Sequence, residues 1–434
     1  MVGAGWSGLA CAIALVRQGH RPLLLDAAPH AGGRARAYTH DLGGATVQLD
    51  NGQHLLLGAY RATLDLLATV GVDARGALRR LPFALGYPDG WRLAAARLPA
   101  PWHLAAGLLC ARGMTLAERR ALARWSRCQH GAGWQLAADA PASTLFAGEP
   151  AGLVRRLWRP LCLAALNVEL DQASARILLA VLRDSLGSAA AASNLLLPRT
   201  DLSRLFPDAA VRWLQAHGAE VRLHCPVLSL EPGDGAPHRL QLRDDSIAAR
   251  HLVLALPPDR AHALLAGRHR ALEPAAAQLQ AVRSAPIATV YLRYPVGTRL
   301  GRPLLALLDD PVEGRHGQWV FDRGALDPAM DGILSVVISG DGPYRALDRE
   351  ALGMSVARQL HATLRLPQPL ATYAITEKHA TIVPAPGLQR PGTRLPLPGL
   401  HLAGDAADSA YPSTIEGSVR SGLEAARAIG ACHG

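Results

Sequence analysis

Apolar and polar positions at the start of the chain follow a helical spacing and then a strand-like run. Residues 9–18 have the apolar content of a helix, and Gly19 stands where such a helix would end. Residues 23–25 are three consecutive leucines, which is typical of a parallel strand buried on both faces. Only two residues precede Gly3, although a strand of about five residues is expected there. We therefore expect the N-terminus to be truncated within a strand.

Helical patterns dominate the next part of the chain. Residues 60–133 and 151–187 are rich in Ala, Leu and Arg, and both segments predict helices. Thr115 and Glu118 have the spacing of a capping box, which predicts the start of a basic helix. Residues 103–112, just before that helix, are nearly all apolar. Such a pair of segments fits a membrane surface or an ordinary core equally well.

Strand-like alternation returns in the second half of the chain. Residues 221–230 alternate in this way, and they predict a return to the sheet that contains residues 23–25. The last part of the chain predicts a strand, a glycine turn and a long helix. Further strands are predicted at residues 239–243, 251–256, 289–294 and 333–338.

These patterns predict an α/β protein with two interleaved domains. A Rossmann-like nucleotide-binding domain is expected from residues 1–60, 200–258 and 395–434. A second, α+β substrate domain is expected from residues 61–199 and 259–394, with a mixed sheet and a helical cap.

Composition narrows the possible functions. A chain of 434 residues with 49% hydrophobic and 18% charged residues is not a disordered protein. The net charge of +10 favours anionic surfaces, and because no nucleic-acid module is present we expect a bilayer as the partner. The six cysteines form no C-x-x-C and the 17 histidines no H-E-x-x-H, so we predict no metal site. The cysteines fit small buried residues in a reducing cytoplasm, so we expect a cytoplasmic protein bound peripherally to the inner membrane.

The glycines near the N-terminus carry the first chemical signal. Gly3, Gly5 and Gly8 have the G-x-G-x-x-G spacing, which allows a tight turn, a close approach to a pyrophosphate and close helix–strand packing. The helix that follows would offer free N–H groups to the phosphates. Asp26 lies 18 residues after Gly8, where its carboxylate can accept hydrogen bonds from ribose hydroxyls.

Two further motifs sharpen this prediction. Gly33 and Arg34 follow Gly32, and they suit a second approach of backbone and guanidinium to phosphate. Far along the chain, Gly404 and Asp405 precede the predicted final helix. We interpret the two ends of the chain as parts of one nucleotide site.

Together these motifs resemble the glutathione-reductase-type flavoproteins, in the branch of amine oxidases, protoporphyrinogen oxidase and phytoene desaturases. The resemblance implies that FAD is the cofactor, and that the three opening glycines with Gly33 and Arg34 hold its phosphates. It implies that Asp26 holds the adenosine ribose and that the Val227 backbone pairs with adenine. Asp405, after Gly404, would meet the ribityl–phosphate side, and the helix that begins near Ile415 would point at the flavin ring.

More specific sequence motifs resemble the squalene-associated FAD-dependent desaturases, understood as hydroxysqualene dehydroxylases of hopanoid synthesis. These motifs lie at residues 50–54, 58–60, 157–161, 164–167 and 377–381. The resemblance implies an apolar isoprenoid substrate, reductive loss of its hydroxyl group and an electron donor of unknown identity. A C30 hydrocarbon would need a dry tunnel, which leucines at 55–57, 161–166 and 195–197 are candidates to line.

Loss of a hydroxyl group requires a proton, because hydroxide is a poor leaving group. The candidate acids are His54, Asp50 and Glu416, and we favour His54 because its ordinary pKa suits proton transfer near neutral pH. A structural role for His54, as a hydrogen-bonded support of its loop, is the alternative, and the sequence slightly favours it over the catalytic role. Gln53 is a candidate to orient the hydroxyl group or the flavin edge.

Two other functions remain open. A carotenoid desaturase of the phytoene type would transfer hydride in the opposite direction, and a non-catalytic flavin or lipid carrier would not turn over. An amine oxidase is disfavoured, because that group usually keeps a lysine near the flavin on a substrate-domain strand. The candidate strand at residues 286–294 contains no lysine, and Lys378, the sole lysine of the chain, lies in a different motif.

Overall fold

The computed structural model describes residues 1–409 and 411–430. Its helices are α1 (Trp6–Arg17), α2 (Arg61–Thr69), α3 (Ala74–Ala77), α4 (Trp102–Leu109), α5 (Leu116–Gly131), α6 (Ala151–Leu153), α7 (Arg159–Leu166), α8 (Ala175–Ser185), α9 (Leu202–Leu205), α10 (Pro207–Ala216), α11 (Pro258–Leu265), α12 (Glu273–Gln280), α13 (Arg349–Leu364) and α14 (Ile415–Gly430). A π-helical turn, Val154–Trp158, joins α6 to α7.

The strands form several small sheets and one larger one. They are β1 (Leu23–Leu25), β2 (Ala37–Asp41), β3 (Thr46–Asp50), β4 (Leu56–Leu57), β5 (Leu78–Leu81), β6 (Ala84–Gly86), β7 (Arg92–Ala94), β8 (Leu195–Pro198), β9 (Glu220–Arg222), β10 (Ser229–Glu231), β11 (His238–Gln241), β12 (Ser246–Ala249), β13 (Leu252–Leu254), β14 (Ser284–Arg293), β15 (Leu304–Ala306), β16 (Trp319–Asp322), β17 (Ile333–Ser339), β18 (Ala371–Ile382) and β19 (Leu400–Leu402).

A parallel sheet gathers strands from three distant parts of the chain. β9 pairs with β1 and β13 pairs with β19, both in parallel. Val2 joins the two pairs, because it bridges Leu25 on one side and Leu254 on the other. The short leucine-rich strands are buried, as expected for strands covered on both faces.

Helices cover both faces of this parallel sheet. On one face, Leu24 of β1 packs in a cluster with α1 and α10, where the rings of Trp6 and Phe206 lie 4.5 Å apart. On the other face, Leu25 and Leu254 pack against α11 and α12. α14 lies so close to α1 that a Cβ atom at Gly422 would stand 2.1 Å from the carbonyl oxygen of Ser7.

The larger sheet has the order β15-β16-β17-β14-β18, and every neighbouring pair in it is antiparallel. The prediction of a mixed sheet was therefore wrong in this detail. β17 is buried at all seven positions, because α13 covers one face and a second apolar cluster covers the other. Burial on both faces gives an antiparallel strand the apolar sequence that is more typical of a parallel one.

The segment between these sheets is a cap of helices and short strands. The capping box predicted at Thr115 and Glu118 is present at the start of α5. The prediction that residues 60–133 are helical was wrong for β5, β6 and β7. β6 and β7 form a hairpin around the turn at residues 87–90, whose Pro-Asp-Gly sequence is a turn signal.

Candidate active site

The glycine turn at the N-terminus leaves no space for a side chain at two of its three glycines. Gly3 has a φ of +105°, and a Cβ atom there would lie 2.3 Å from the carbonyl oxygen of Ala255. A Cβ atom at Gly8 would lie 1.9 Å from the carbonyl oxygen of Gly3. Gly5 pairs with Gly32 as an isolated parallel bridge. These contacts explain sterically why the turn needs glycine at positions 3 and 8, whereas a Cβ atom at Gly5 would meet only the Cα atom of Gly33, at 3.9 Å.

The same turn forms a cradle for an anion. Gly33 has a φ of +61°, and a Cβ atom there would approach the Cα atom of Gly5 to 3.2 Å. Gly5 caps α1 without a side-chain hydrogen bond, and the first turn of α1 contains no acidic residue. Within the described residues, the buried Ser7 hydroxyl has no hydrogen-bond partner. Free N–H groups, the helix dipole and this unused hydroxyl group fit the pyrophosphate of FAD.

Asp26 lies at the edge of this cradle. Its Oδ2 accepts a hydrogen bond from the Ala4 N–H at 2.6 Å, and its Oδ1 accepts one from the Ala28 N–H at 2.7 Å. The Cys225 N–H donates to the Asp26 carbonyl oxygen, which brings the loop containing Val227 alongside. Each carboxylate oxygen of Asp26 keeps a second lone pair, which is free for a ribose hydroxyl group.

An ion pair joins the two ends of the chain. Arg34 Nη2 lies 2.5 Å from Asp405 Oδ2, and the Ser413 hydroxyl donates to Asp405 Oδ1 at 2.8 Å. Burial acts to raise the pKa of Asp405, but Arg34 and the hydrogen bond from Ser413 outweigh it and hold the pKa below its ordinary value. Gly404 packs near Ser7 of α1, with 3.4 Å between its Cβ position and Ser7 Oγ. The motifs from both termini thus meet at one place.

Ile415 and Glu416 begin α14 but point in different directions. Ile415 lines a cavity next to the cradle. Glu416 is fully buried elsewhere: its carboxylate accepts hydrogen bonds from Thr63 N and Oγ1 at the start of α2, and from Arg420 Nε. Successive helical residues are rotated by about 100°, which separates the two side chains. Glu416 is therefore not among the acids that face the cavity.

The cavity has a volume of about 270 Å³, with a polar end and apolar walls. Arg34, Asn51, Gln53 and His54 line the polar end, where the flavin motifs lie. The leucine-rich stretches singled out in the sequence contribute to the walls, although Leu56, Leu196 and Leu197 belong to the packed core instead. Wall residues include Leu55, Leu57, Phe83, Leu161, Leu163 and Leu195.

His54 is held within its loop by its own backbone. Its Nδ1 lies 2.6 Å from the carbonyl oxygen of Gly52, so Nδ1 carries the proton and donates it. Burial lowers the pKa of His54, and the charge of Arg34 adds to this effect. The imidazole is therefore neutral at pH 7, with Nε2 as an acceptor.

Gln53 and Asp50 are tied to a buried arginine that the sequence analysis did not single out. Gln53 Oε1 accepts hydrogen bonds from Arg323 Nη1 at 3.0 Å and from the Ser335 hydroxyl at 3.1 Å. Arg323 Nη2 lies 4.0 Å from Asp50 Oδ2. Arg323 directly follows the buried strand β16, and a charged residue in that position was the available signal.

Asp50 lies behind the cavity and does not line it. It is 2% exposed, and its Oδ1 accepts a hydrogen bond from the Leu202 N–H at 2.8 Å. Burial raises the pKa of Asp50 to about 6, although Arg323 and the Leu202 N–H act in the opposite direction. Asp50 can therefore support the arginine and the 51–54 loop, but it does not contact a ligand in the cavity.

Glu377 is the second residue that the sequence analysis did not single out individually. It lines the cavity and accepts a hydrogen bond at Oε2 from Asn51 Nδ2, at 3.2 Å.

The described residues contain no group of three or more side chains suited to hold a metal ion. Among the described helices, none combines the length and the apolar character needed to span a bilayer.

Comparisons with known proteins agree with this geometry. A family model described as flavin containing amine oxidoreductase matches residues 6–430. Hydroxysqualene dehydroxylase of Rhodopseudomonas palustris is 29% identical, with 98% of this chain and 96% of that protein covered. A probable zeta-carotene desaturase of Synechococcus elongatus is 24% identical, with coverages of 99% and 98%. Cyclohexylamine oxidase of Brevibacterium oxydans has a similar solved structure, with a TM-score of 0.70, 20% identity and coverages of 100% and 98%. This likeness confirms the predicted fold class.

The raised pKa of Asp50 predicts how stability depends on pH. Asp50 titrates near 6 in the folded protein and at about 3.9 when unfolded, so its stabilising contribution is complete below pH 4 and is lost as the pH rises through 6. Chemical denaturation should show wild type losing about 2 kcal/mol relative to Asp50→Asn between pH 4 and pH 7. Asp65→Asn, on the exposed face of α2, is the matched control. A constant difference between wild type and Asp50→Asn would contradict the prediction.

Proposed function

Because the chain belongs to the flavin containing amine oxidoreductase family and uses FAD, we propose that it reduces an isoprenoid alcohol, converting hydroxysqualene to squalene in hopanoid synthesis. The observation that carries this proposal is the cavity, whose lining is mostly apolar and which contains Arg34, Asn51, Gln53 and His54 next to the flavin motifs. The hydroxysqualene dehydroxylases that resemble the chain along nearly its whole length support the same substrate. A separate electron donor keeps FAD reduced.

The residues for holding FAD come from both termini. Gly3, Gly5, Gly8, Gly33 and Arg34 hold the phosphates, and Asp26 and Asp405 hold the ribose and ribityl sides. Val227 meets the adenine, and Ile415 lies at the flavin ring. The bound cofactor supplies hydride transfer. The protein's part is to orient the substrate, to exclude water and to hold the proton that leaves with the hydroxyl group.

The apolar walls select a hydrocarbon. At about 0.8 kcal/mol for each buried CH2 group, a C30 chain gains on the order of 20 kcal/mol by leaving water. Such a substrate resides in a bilayer, and it enters a protein only through a surface that touches the bilayer. Once inside, it covers the leucine walls and directs its one polar group to His54 and Gln53.

His54 is the catalytic residue of the polar end. Its neutral Nε2 accepts a hydrogen bond from the substrate hydroxyl group, while Gln53 and Arg323 keep the loop in place. To act as the acid, His54 must first take up a proton from solvent at Nε2. Burial lowers its pKa, so this protonated form is scarce at pH 7 but transfers its Nε2 proton readily to the departing hydroxyl group, which leaves as water.

The anaerobic reaction of the reduced protein tests the proposed function. Reduced holoprotein mixed with hydroxysqualene should reoxidise its flavin and release one squalene per flavin, as followed by absorption and lipid extraction. A carotenoid desaturase would instead reduce its oxidised flavin with a phytoene-type polyene. Lipid binding without any change of the flavin spectrum would support the carrier function and contradict the proposal.

The same single-turnover assay tests His54. We expect His54→Ala to slow flavin reoxidation by about 10- to 100-fold, because the substrate hydroxyl group loses its partner. The bound FAD content should be unchanged, since His54 makes no contact with the glycine cradle. A rate within about threefold of wild type would show that His54 only supports its loop.

A bilayer is the proposed second partner, and the surface around α4 supports it. Four exposed apolar side chains, Leu98, Trp102, Leu109 and Leu116, form what we call the α4 patch. The exposed arginines at positions 97, 112 and 120 surround it with positive charge, which suits anionic headgroups. A Cβ atom at Gly107 of α4 would lie 2.3 Å from the Ala94 carbonyl oxygen of β7. Because the β6–β7 hairpin also lines the cavity, the patch lies next to the route of entry.

Vesicle sedimentation tests the α4 patch. Trp102 and Leu109 are 66% and 75% exposed, and Trp102→Glu combined with Leu109→Glu should weaken binding to anionic vesicles by at least about tenfold. Val296→Glu with Val312→Glu is the matched control, because these side chains are 83% and 94% exposed but lie outside the patch. Equal loss of binding in both double variants would contradict the proposed surface.

A further inference from the structure

Glu377 is the one acidic side chain among the described residues that line the cavity. Its Oε2 accepts a hydrogen bond from Asn51 Nδ2 at 3.2 Å, and its Oε1 accepts one from the His379 N–H at 3.1 Å. Two donors that converge on one carboxyl group suit its ionised form, which only accepts hydrogen bonds. In the described part of the chain, no ion pair within 4.0 Å involves this carboxylate; Arg34, which is paired with Asp405, also interacts electrostatically with Glu377 from a greater distance.

Glu377 lies in β18 directly before a β-bulge. β14 and β18 pair at Ile287 with Glu377 and at Ala285 with Thr381, so β18 has two extra residues between these pairs. Pro286 stands opposite the extra residues, and proline has no N–H group to continue the ladder. Glu377 is the last residue of the regular ladder before the bulge, and it faces the cavity on the same side as its partner Ile287, whereas Lys378 is exposed.

Arg34 and Asn167 hold the bulge through hydrogen bonds to its backbone and to Thr381. Arg34 Nη1 donates to the carbonyl oxygens of His379 and Ala380, at 3.1 and 2.9 Å. Asn167 Nδ2 donates to Thr381 Oγ1 at 3.0 Å. The arginine that pairs with Asp405 therefore also holds the backbone directly after Glu377.

The proposed reaction would place a positive charge in the cavity, which this carboxylate can stabilise. As the C–O bond of the substrate breaks, its electron pair leaves with oxygen, which takes up a proton and departs as water. The carbon becomes positively charged until it receives a hydride, with two electrons, from the reduced flavin. A fixed negative charge in an apolar cavity stabilises such a carbon strongly, because little water is present to screen it.

We propose that Glu377 is a further catalytic residue, whose carboxylate stabilises the positive charge that develops on the isoprenoid carbon. This inference rests on the proposed function for the reaction, but the same charge would develop if hydride left the carbon. The site should therefore bind cationic isoprenoids. Quaternary ammonium compounds with isoprenoid chains are suitable probes, because they mimic the charged carbon and have no lone pair for an amine oxidase to use.

The test compares a quaternary ammonium isoprenoid with its neutral carbon isostere, in binding to the oxidised holoprotein measured by perturbation of the flavin spectrum. Wild type should bind the ammonium compound about 10- to 100-fold more tightly than the isostere. Glu377→Gln should lose this preference and leave the affinity for the isostere unchanged. Glu377→Asp should retain most of the preference, because it keeps the charge.

Lys378→Gln, in the same bulge but exposed, is the matched control and should bind like wild type. Equal affinity of wild type for the two compounds would overturn the proposal, and this comparison needs no variant. A preference that persists in Glu377→Gln would also overturn it. Squalene release is measured separately: if wild type binds the cation through Glu377 but forms no squalene, the proposed function fails while this inference stands.

Discussion

The site depends on the ion pair between Arg34 and Asp405, which joins residues 371 positions apart in the chain. Asp405 is buried, and a buried carboxylate without a partner is strongly unfavourable. Arg34 compensates that charge with one nitrogen and holds the β18 bulge with the other. The N-terminal cradle, the start of α14 and the polar end of the cavity are thereby fixed relative to one another.

The parts that sequence reasoning predicted are those that short-range sterics determine. Gly3 and Gly8 are required because any side chain would collide with a carbonyl oxygen within a few ångströms. The capping box of α5 is likewise local, since Thr115 and Glu118 satisfy each other within one helical turn. The meeting of the two termini was also predictable, because each end carries half of a recognisable nucleotide motif.

The parts that sequence reasoning missed are those that register and rotation determine. Glu416 follows Ile415 directly, yet one residue of helical rotation sends its carboxylate to α2 and away from the cavity. Arg323 became part of the site only because β16 and β17 place it beside Gln53. The residue types alone do not predict which way the side chains of Glu416 and Arg323 point, since their orientation depends on partners far away in the chain.

The register of β18 determines which of its side chains faces the cavity. Side chains alternate across a strand, so neighbouring residues face opposite sides. Glu377 faces the cavity and Lys378 faces outward, and a shift of one residue would exchange a carboxylate for an ammonium group. A lysine next to a flavin suits an amine-oxidising site, whereas a carboxylate suits a substrate that passes through a cationic carbon. Pro286, which has no N–H group, and Arg34, which binds the His379 carbonyl oxygen, support the bulge that begins directly after Glu377, and the regular register up to that point keeps a carboxylate in this cavity.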